Sequence, residues 1–281
     1  MISSNPFSEI SATIPAIVMQ GYVVVMFLMV IGGTIVDMIH KGSARYFFEN
    51  SKKAKAQAVR PVGAGTKASL ALQTVAKEVL TSGEFSNQKR RLSHLLTMYG
   101  FIIFVVTTAI MIFSYPTPEV PTPSYLPMLW HLGALMICIG GYWFWFSIRV
   151  DVSSEGNPWY RLVRADLFIV SLLLTATFAL IWSVFQAGDI AGWETLFFVL
   201  FIASSTTLFS TVLWSKFAHM FFKPAAAYQK RITKADGSRE NLPELADRNN
   251  PADRDRHSME LLKDAPMDMG LGIAREAPRH Y

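Results

Sequence analysis

The chain alternates long apolar runs with polar connecting segments, and five of the runs are long enough to cross a membrane. A transmembrane helix needs about 20 consecutive, mostly apolar residues, and the pattern predicts such helices over 14–39, 95–113, 128–148, 167–185 and 196–214. The first run is predicted to be an anchor and not a cleaved signal, because no Lys or Arg precedes it and no small-residue cleavage site follows it. The predicted fold class is therefore an all-α integral membrane protein, a bundle of five transmembrane helices.

The positive charges predict the orientation of this bundle. Lys and Arg are retained on the cytoplasmic side of a membrane. All 26 of them lie between the first and second runs, between the third and fourth runs, or beyond the fifth run. The other polar segments have none. This distribution predicts a short outer N-terminus over residues 1–13 and a C-terminus in the cytoplasm.

The cytoplasmic segments differ from one another in character. Residues 40–93 form a basic loop with a predicted amphipathic helix that lies at the membrane interface, contacts a partner or only connects two spans. This helix places five apolar residues on roughly one face: Leu70, Leu72, Val75, Val79 and Leu80. The membrane domain of four helices is predicted over 94–222, and the charged residues 223–281 are predicted to be largely disordered. The net charge of +5 is explained by topology and anionic lipid headgroups, so no nucleic-acid partner is expected.

The residue types exclude several kinds of chemistry. The single cysteine, Cys138, excludes an intrachain disulfide and any cysteine-ligated iron–sulfur cluster built from this chain alone. The sequence has no phosphate-binding loop, metal-ligand cluster, nucleophile motif or dinucleotide-binding glycine pattern. We therefore expect a non-catalytic subunit and not a self-contained enzyme.

Two histidines are predicted to lie at the same depth in the membrane. His94 is at the cytoplasmic start of the second span and His219 follows the cytoplasmic end of the fifth. Two imidazoles from facing helices at one level can be the axial ligands of a b-type haem iron, and His40 at the inner end of the first span is a substitute candidate. The alternative interpretation is that these histidines only lie at the membrane interface.

The outer half of the bundle has one candidate. His131 lies near the outer end of the third span and is predicted to contact a quinone or a second haem, because ionisable residues inside a membrane are functional candidates. The fifth span has a Ser/Thr run and no histidine at that level, so at most one bis-histidine haem is expected. The Ser/Thr run is predicted to pack helices or to hydrogen-bond its own backbone, and Gly140 and Gly141 are predicted to pack helices. Between the third and fourth spans, three arginines accompany aromatic anchors, or alternatively contact an acidic partner: Arg149, Arg161 and Arg164.

Two stretches carry a family resemblance: "EVLTSGEFSNQKRRLSHLLTMYGFI" and "WSKFAHMFF". Over about 78–230 the chain resembles the cytochrome b-like membrane subunits of the nitrate reductase gamma type. It is most similar to those of the quinone-interacting oxidoreductase complex and to the membrane proteins associated with adenylylsulfate reductase in sulfur-oxidising bacteria. The resemblance implies that His94 and His219 are haem ligands and that His131 matches a histidine of the closer members. The family's further histidine in the fifth span is missing around Phe201, and "TSGEFSN" stands where larger relatives have a Cys and a His.

The resemblance also implies a function. A soluble cytoplasmic adenylylsulfate reductase would oxidise sulfite with AMP to adenylylsulfate, and this chain would anchor it at the bacterial inner membrane. Electrons would pass through the chain to the quinone pool. The alternative is a cofactor-free anchor that holds a soluble redox enzyme at the membrane. A transporter is disfavoured because inverted repeats are not visible and intramembrane charges are few.

Overall fold

The computed structural model describes residues 2–40, 43–83, 85, 87–151, 156–215, 217, 219–239 and 250–252. The regular structure in these ranges is helical throughout. The α-helices are α1 Pro6–Glu9, α2 Ala16–His40, α3 Ser43–Ala56, α4 Ala64–Thr74, α5 Gln88–Ser114, α6 Tyr125–Trp143, α7 Leu167–Ala187, α8 Trp193–Ser210 and α9 His219–Ala235. Helix α4 continues as π-helical turns over Val75–Leu80, and α6 does so over Phe144–Ile148.

The predicted number of membrane-spanning helices is confirmed. Within the described residues, five helices are long and apolar enough to cross a membrane: Ala16–His40, Gln88–Ser114, Tyr125–Ile148, Arg164–Ala187 and Trp193–Ser210. Helix α5 begins earlier than the apolar run because Asn87 caps it, with Oδ1 accepting hydrogen bonds from the backbone N–H groups of Lys89 and Arg90. Apolar periodicity alone does not reveal such a polar first turn.

Helices α5 and α6 pack so closely that their backbones touch at glycines. A Cβ atom added to Gly100 would lie 2.8 Å from the carbonyl oxygen of Gly133, and one added to Gly140 would lie 2.7 Å from the carbonyl oxygen of Ser93. The neighbouring Gly141 faces Leu173 of α7. The predicted packing role of Gly140 and Gly141 is therefore confirmed, and α6 uses adjacent faces to contact α5 and α7.

Helix α2 lies at the edge of the bundle and is attached to α8 by hydroxyl groups. The phenol oxygen of Tyr22 lies 2.7 Å from Ser205 Oγ and 3.0 Å from Thr206 Oγ1. Both hydroxyls also donate to carbonyl groups of the preceding turn of α8. The Ser/Thr run thus packs helices and bonds its own backbone, as predicted. Most large apolar side chains along α2 are exposed, which suits a helix that faces lipid.

The Tyr22 contact gives a testable prediction about stability. Tyr22→Phe removes hydrogen bonds between α2 and α8, and interhelical hydrogen bonds in membranes are worth about 0.6 kcal/mol on average. We expect a loss of free energy of unfolding of about that size in mixed-detergent denaturation. The control is Tyr125→Phe, because the Tyr125 side chain is largely exposed. Equal stability of the two variants would contradict the assignment.

The chain divides into two compact units, 1–45 with 79–223 and 46–78 with 224–281. In the second unit, Arg231 pairs with Glu78 at 2.7 Å, and the backbone N–H groups of Val59 and Arg60 donate to the carbonyl oxygen of Asp236 just beyond α9. The first part of the segment predicted to be disordered is therefore helical, because it belongs to α9. Most of the remaining tail lies outside the described residues. The predicted apolar face of the basic loop is split, since Leu70 and Val79 are half-buried and the other three residues are exposed.

Candidate functional site

His94 lies near the N-terminus of α5, and one of its ring nitrogens is held by a serine. Nδ1 is 2.9 Å from the Oγ of Ser82, whose side chain is buried. Ser82 has a φ of 47°, in the left-handed region that residues other than glycine rarely adopt. Ser82 was not identifiable from sequence, because its contact with the histidine depends on how the segment before α5 folds back.

The segment before α5 is fastened around His94. Tyr99 donates its hydroxyl to the carbonyl oxygen of Leu80 at 2.6 Å, and the Nε of Arg91 donates to the carbonyl oxygen of Thr81 at 2.6 Å. The ring of Phe85 lies 5.0 Å from the imidazole of His94, measured between ring centres. The imidazole is therefore enclosed by its own neighbouring segment.

The first residues of helix α9 lie close to the segment that surrounds His94. His219 is its first residue and is half-buried, with its ring 5.9 Å from that of Phe168. One helical turn later, the Nζ of Lys223 lies 5.3 Å from the centre of the Phe85 ring, which itself contacts His94. His94 and His219 thus lie at the same end of the bundle.

Aromatic rings surround this end. Phe217 lies 5.4 Å from Phe168 and 6.5 Å from Phe101, and Phe101 is two turns beyond His94 along α5. Two imidazoles are nitrogen donors of the type that binds the iron of a b-type haem, and the rings beside them are apolar. Ser82 matches the usual pattern in which a metal-ligating histidine bonds a polar group through its other nitrogen. His40 is the last residue of α2 and is exposed, and the ligand roles of all three histidines stay predictions.

His131 has a different environment from the other two. It is buried, its Nδ1–H donates to the carbonyl oxygen of Pro127 at 2.7 Å, and its Nε2 lies 2.6 Å from the Oγ of Ser183 on α7. A neutral imidazole with its proton on Nδ1 satisfies both bonds. Any quinone or iron at Nε2 would have to replace Ser183. The predicted contact with a quinone or haem remains a prediction beside this helix-packing role.

Aromatic side chains fill the bundle near His131. Phe201 stacks on Trp182 with ring centres 5.7 Å apart, and Trp182 lies 6.4 Å from Trp130. Phe7 of the N-terminal segment inserts between them, 5.7 Å from Trp130 and 5.4 Å from Trp182. The sequence predicted only a short outer N-terminus, although an Asn followed by Pro at residues 5–6 is a helix-start signal. This signal indicates a short helix and not its place in the bundle.

Arg149 is a buried centre of hydrogen bonds and not a surface charge. Its side chain is fully buried, and its Nη2 donates to Asp166 Oδ2 at 2.5 Å and to the carbonyl oxygen of Arg161 at 2.6 Å. Its Nη1 donates to the carbonyl oxygen of Pro158 at 2.7 Å, and the guanidinium lies 4.2 Å from the ring of Trp145. The interpretation that Arg149 contacts an acidic partner is wrong for this arginine, because no part of it is accessible.

Comparison with known proteins does not assign the chain to a family. No family model matches it, and no match is found among curated proteins or among solved structures. The support for a function therefore comes from the residues at the two ends of the bundle and from their geometry.

Proposed function

We propose that this chain is a membrane anchor and electron-transfer subunit with one b-type haem between His94 and His219. It links a soluble cytoplasmic redox enzyme, adenylylsulfate reductase, to the quinone pool of the bacterial inner membrane. The observation that carries the proposal is the location of His94 and His219 at the same end of the bundle, with the Nδ1 of His94 bonded to Ser82. Five helices that suit contact with lipid agree with it.

The residues of the chain have separate tasks in this proposal. A bound b-type haem takes up and releases one electron at a time. His94 and His219 bind the iron, while Phe101, Phe168 and Phe217 keep water away from it. The positive-inside rule directs this end of the bundle towards the cytoplasm, where the donor enzyme is. The flavin and cluster chemistry of sulfite oxidation belongs to that enzyme.

The packing at the opposite end of the bundle supports the proposal of one haem and not two. The neighbourhood of Phe201 is filled by tryptophan and phenylalanine rings, so a second macrocycle would have to displace them. His131 is the residue of this end that we propose for contact with the quinone. That contact requires the hydroxyl of Ser183 to give up its bond to Nε2.

The proposal predicts that His219→Ala abolishes haem binding. The purified wild-type protein should give a reduced-minus-oxidised b-type spectrum, and the variant should lose it because one of the two residues that would hold the haem is missing. The control is His257→Ala, a histidine of the polar C-terminal segment, which should keep the full spectrum. A wild-type protein without haem, or a His219→Ala variant with unchanged haem, would refute the proposed site.

The second candidate function is a cofactor-free anchor for the same kind of enzyme. Several lysines of α3 are exposed, as are Leu72 of α4 and Val75 just beyond it, and exposed basic and apolar side chains suit contact with a protein partner. Removing the chain from Pro224 onward should then release the soluble enzyme from membranes. If the enzyme instead stays bound and the wild type contains haem, the first candidate stands alone.

A further inference from the structure

We propose that Ser82 is the positioning residue of the haem site: its hydroxyl accepts a hydrogen bond from Nδ1–H of His94 and thereby makes Nε2 the nitrogen that binds iron. This inference rests on the proposed function, because it assumes that His94 is an iron ligand. It adds a residue and a task that the sequence pattern did not indicate. Three features of the structure support it.

The first feature is the backbone of Ser82. Its φ of 47° is a conformation that glycine adopts without cost and that side chains with a Cβ disfavour. Such positions persist where the surrounding structure holds them, and they concentrate at functional sites. Gly83 is the next residue in the chain. A glycine at position 82 instead would relieve the strain. The serine is therefore best explained by its hydroxyl, which lies 2.9 Å from the Nδ1 of His94.

The second feature is the rigidity of the segment that holds the hydroxyl. Leu80 and Thr81 are tied through their carbonyl groups to Tyr99 and Arg91 of α5, each at 2.6 Å. These two anchors lie on the same helix as His94. The Oγ of Ser82 is therefore fixed relative to the imidazole, and the side chain itself is 1% exposed.

The third feature is the chemistry that iron ligation demands. A neutral imidazole that binds iron through one nitrogen carries its proton on the other nitrogen. Ser82 can accept that proton's hydrogen bond, and an acceptor at this position raises the basicity of the ligating nitrogen. A more basic ligand stabilises the ferric state over the ferrous state. Ser82 should therefore both strengthen haem binding and lower the reduction potential.

The test compares Ser82→Ala and Ser82→Gly with the wild type. Both variants lack the acceptor, while glycine also relieves the positive φ. We expect both to bind haem about 10-fold more weakly, at the low end of the effect of lost outer ligand partners, and both to have a higher midpoint potential. The control is Ser204→Ala, which removes a buried hydroxyl group that donates to the carbonyl oxygen of Phe201 in α8, at the other end of the bundle. It should lower stability and leave the potential unchanged.

A second readout needs no haem. Nitrogen NMR of the haem-free, histidine-labelled protein should show His94 protonated at Nδ1 in the wild type, and a changed tautomer equilibrium in Ser82→Ala, with His131 unaffected. Equal haem affinity and equal potential in wild type, Ser82→Ala and Ser82→Gly would overturn the role of Ser82. A wild-type protein without haem overturns the proposed function instead, and the NMR signal then still decides whether Ser82 fixes the tautomer of His94.

Discussion

Replacement of Gly133 by leucine is expected to separate helices α5 and α6 and to unfold the membrane domain. A Cβ atom at Gly133 would lie 2.8 Å from the backbone nitrogen of Phe104 and 2.9 Å from the carbonyl oxygen of Gly100. Both neighbours are backbone atoms of α5, so neither can rotate away as a side chain would. We expect a loss of about 3 kcal/mol or more of free energy of unfolding, at the upper end of the usual cost of overpacking.

The matched control is Gly32→Leu in α2. It also places leucine at a glycine inside a membrane-spanning helix, but a Cβ there would have no atom within 4 Å. Unfolding in mixed detergent micelles should therefore distinguish the two variants, with Gly32→Leu close to the wild type. Gly133→Ala should lie between them, because it adds the clashing Cβ and no more. Equal stability of Gly133→Leu and Gly32→Leu would contradict the close packing of α5 and α6.

The consequences of separating these helices reach the candidate haem site. Ser93 donates its hydroxyl to the carbonyl oxygen of Gly140, so α6 also fixes the rotation of α5 immediately beside His94. Residual folded Gly133→Leu protein should therefore bind less haem than the wild type. A variant that loses stability but keeps full haem occupancy per folded molecule would show that the two properties are independent.

The membrane-spanning helices were predictable from sequence because the bilayer allows few alternatives. Every backbone polar group must be paired within lipid, so a long apolar run becomes a helix whatever its neighbours are. The close approach at Gly140 and Gly141 was predictable for a related reason, since adjacent glycines in an apolar helix leave room for another backbone. These features depend on local sequence alone.

The rest depends on contacts between distant segments, which local sequence does not reveal. Asn5 donates to the carbonyl oxygen of Tyr115, and Gln186 donates to that of Pro6, so residues from three parts of the chain place Phe7 in the bundle. From sequence alone, Ser82 is one of many residues with a hydroxyl group. Its contact with His94 becomes visible only when the turn before α5 is known. Charge predicted that His94 and His219 lie at the same end of the bundle, whereas their surroundings depend on the packing of Phe168 and Phe217.

Replacement of Arg149 by methionine is the other change for which we expect a large effect. Methionine keeps the packing volume of the stem but removes the donors that bind Asp166 and the carbonyl groups of Pro158 and Arg161. The carboxylate of Asp166 would then be left buried, with only the backbone N–H of Val163 donating to it. Breaking one side of a buried ion pair costs about 3–5 kcal/mol, because the remaining charge keeps its desolvation penalty.

A double variant separates the charge effect from the hydrogen bonds to the backbone. Arg149→Met with Asp166→Leu removes both charges and should recover part of the lost stability. The recovery should be incomplete, because the carbonyl groups of Pro158 and Arg161 still lack the hydrogen bonds that Arg149 donated. The control is Arg164→Met, since Arg164 is exposed and should change stability by less than about 0.5 kcal/mol. An Arg149→Met variant as stable as Arg164→Met would contradict the buried pair.

The part of the structure that Arg149→Met loosens can be measured separately from the loss of free energy of unfolding. Arg149 ties the segment around 157–161 to the end of α6 and the start of α7, so its loss should make this connection sensitive to proteases before the helices unfold. Phe168 is the second residue of α7, and its ring contacts that of His219. Loosening that start should therefore change the surroundings of His219 as well. If the connection becomes cleavable while the b-type spectrum is unaltered, Arg149 stabilises the connection only and has no influence on the haem site.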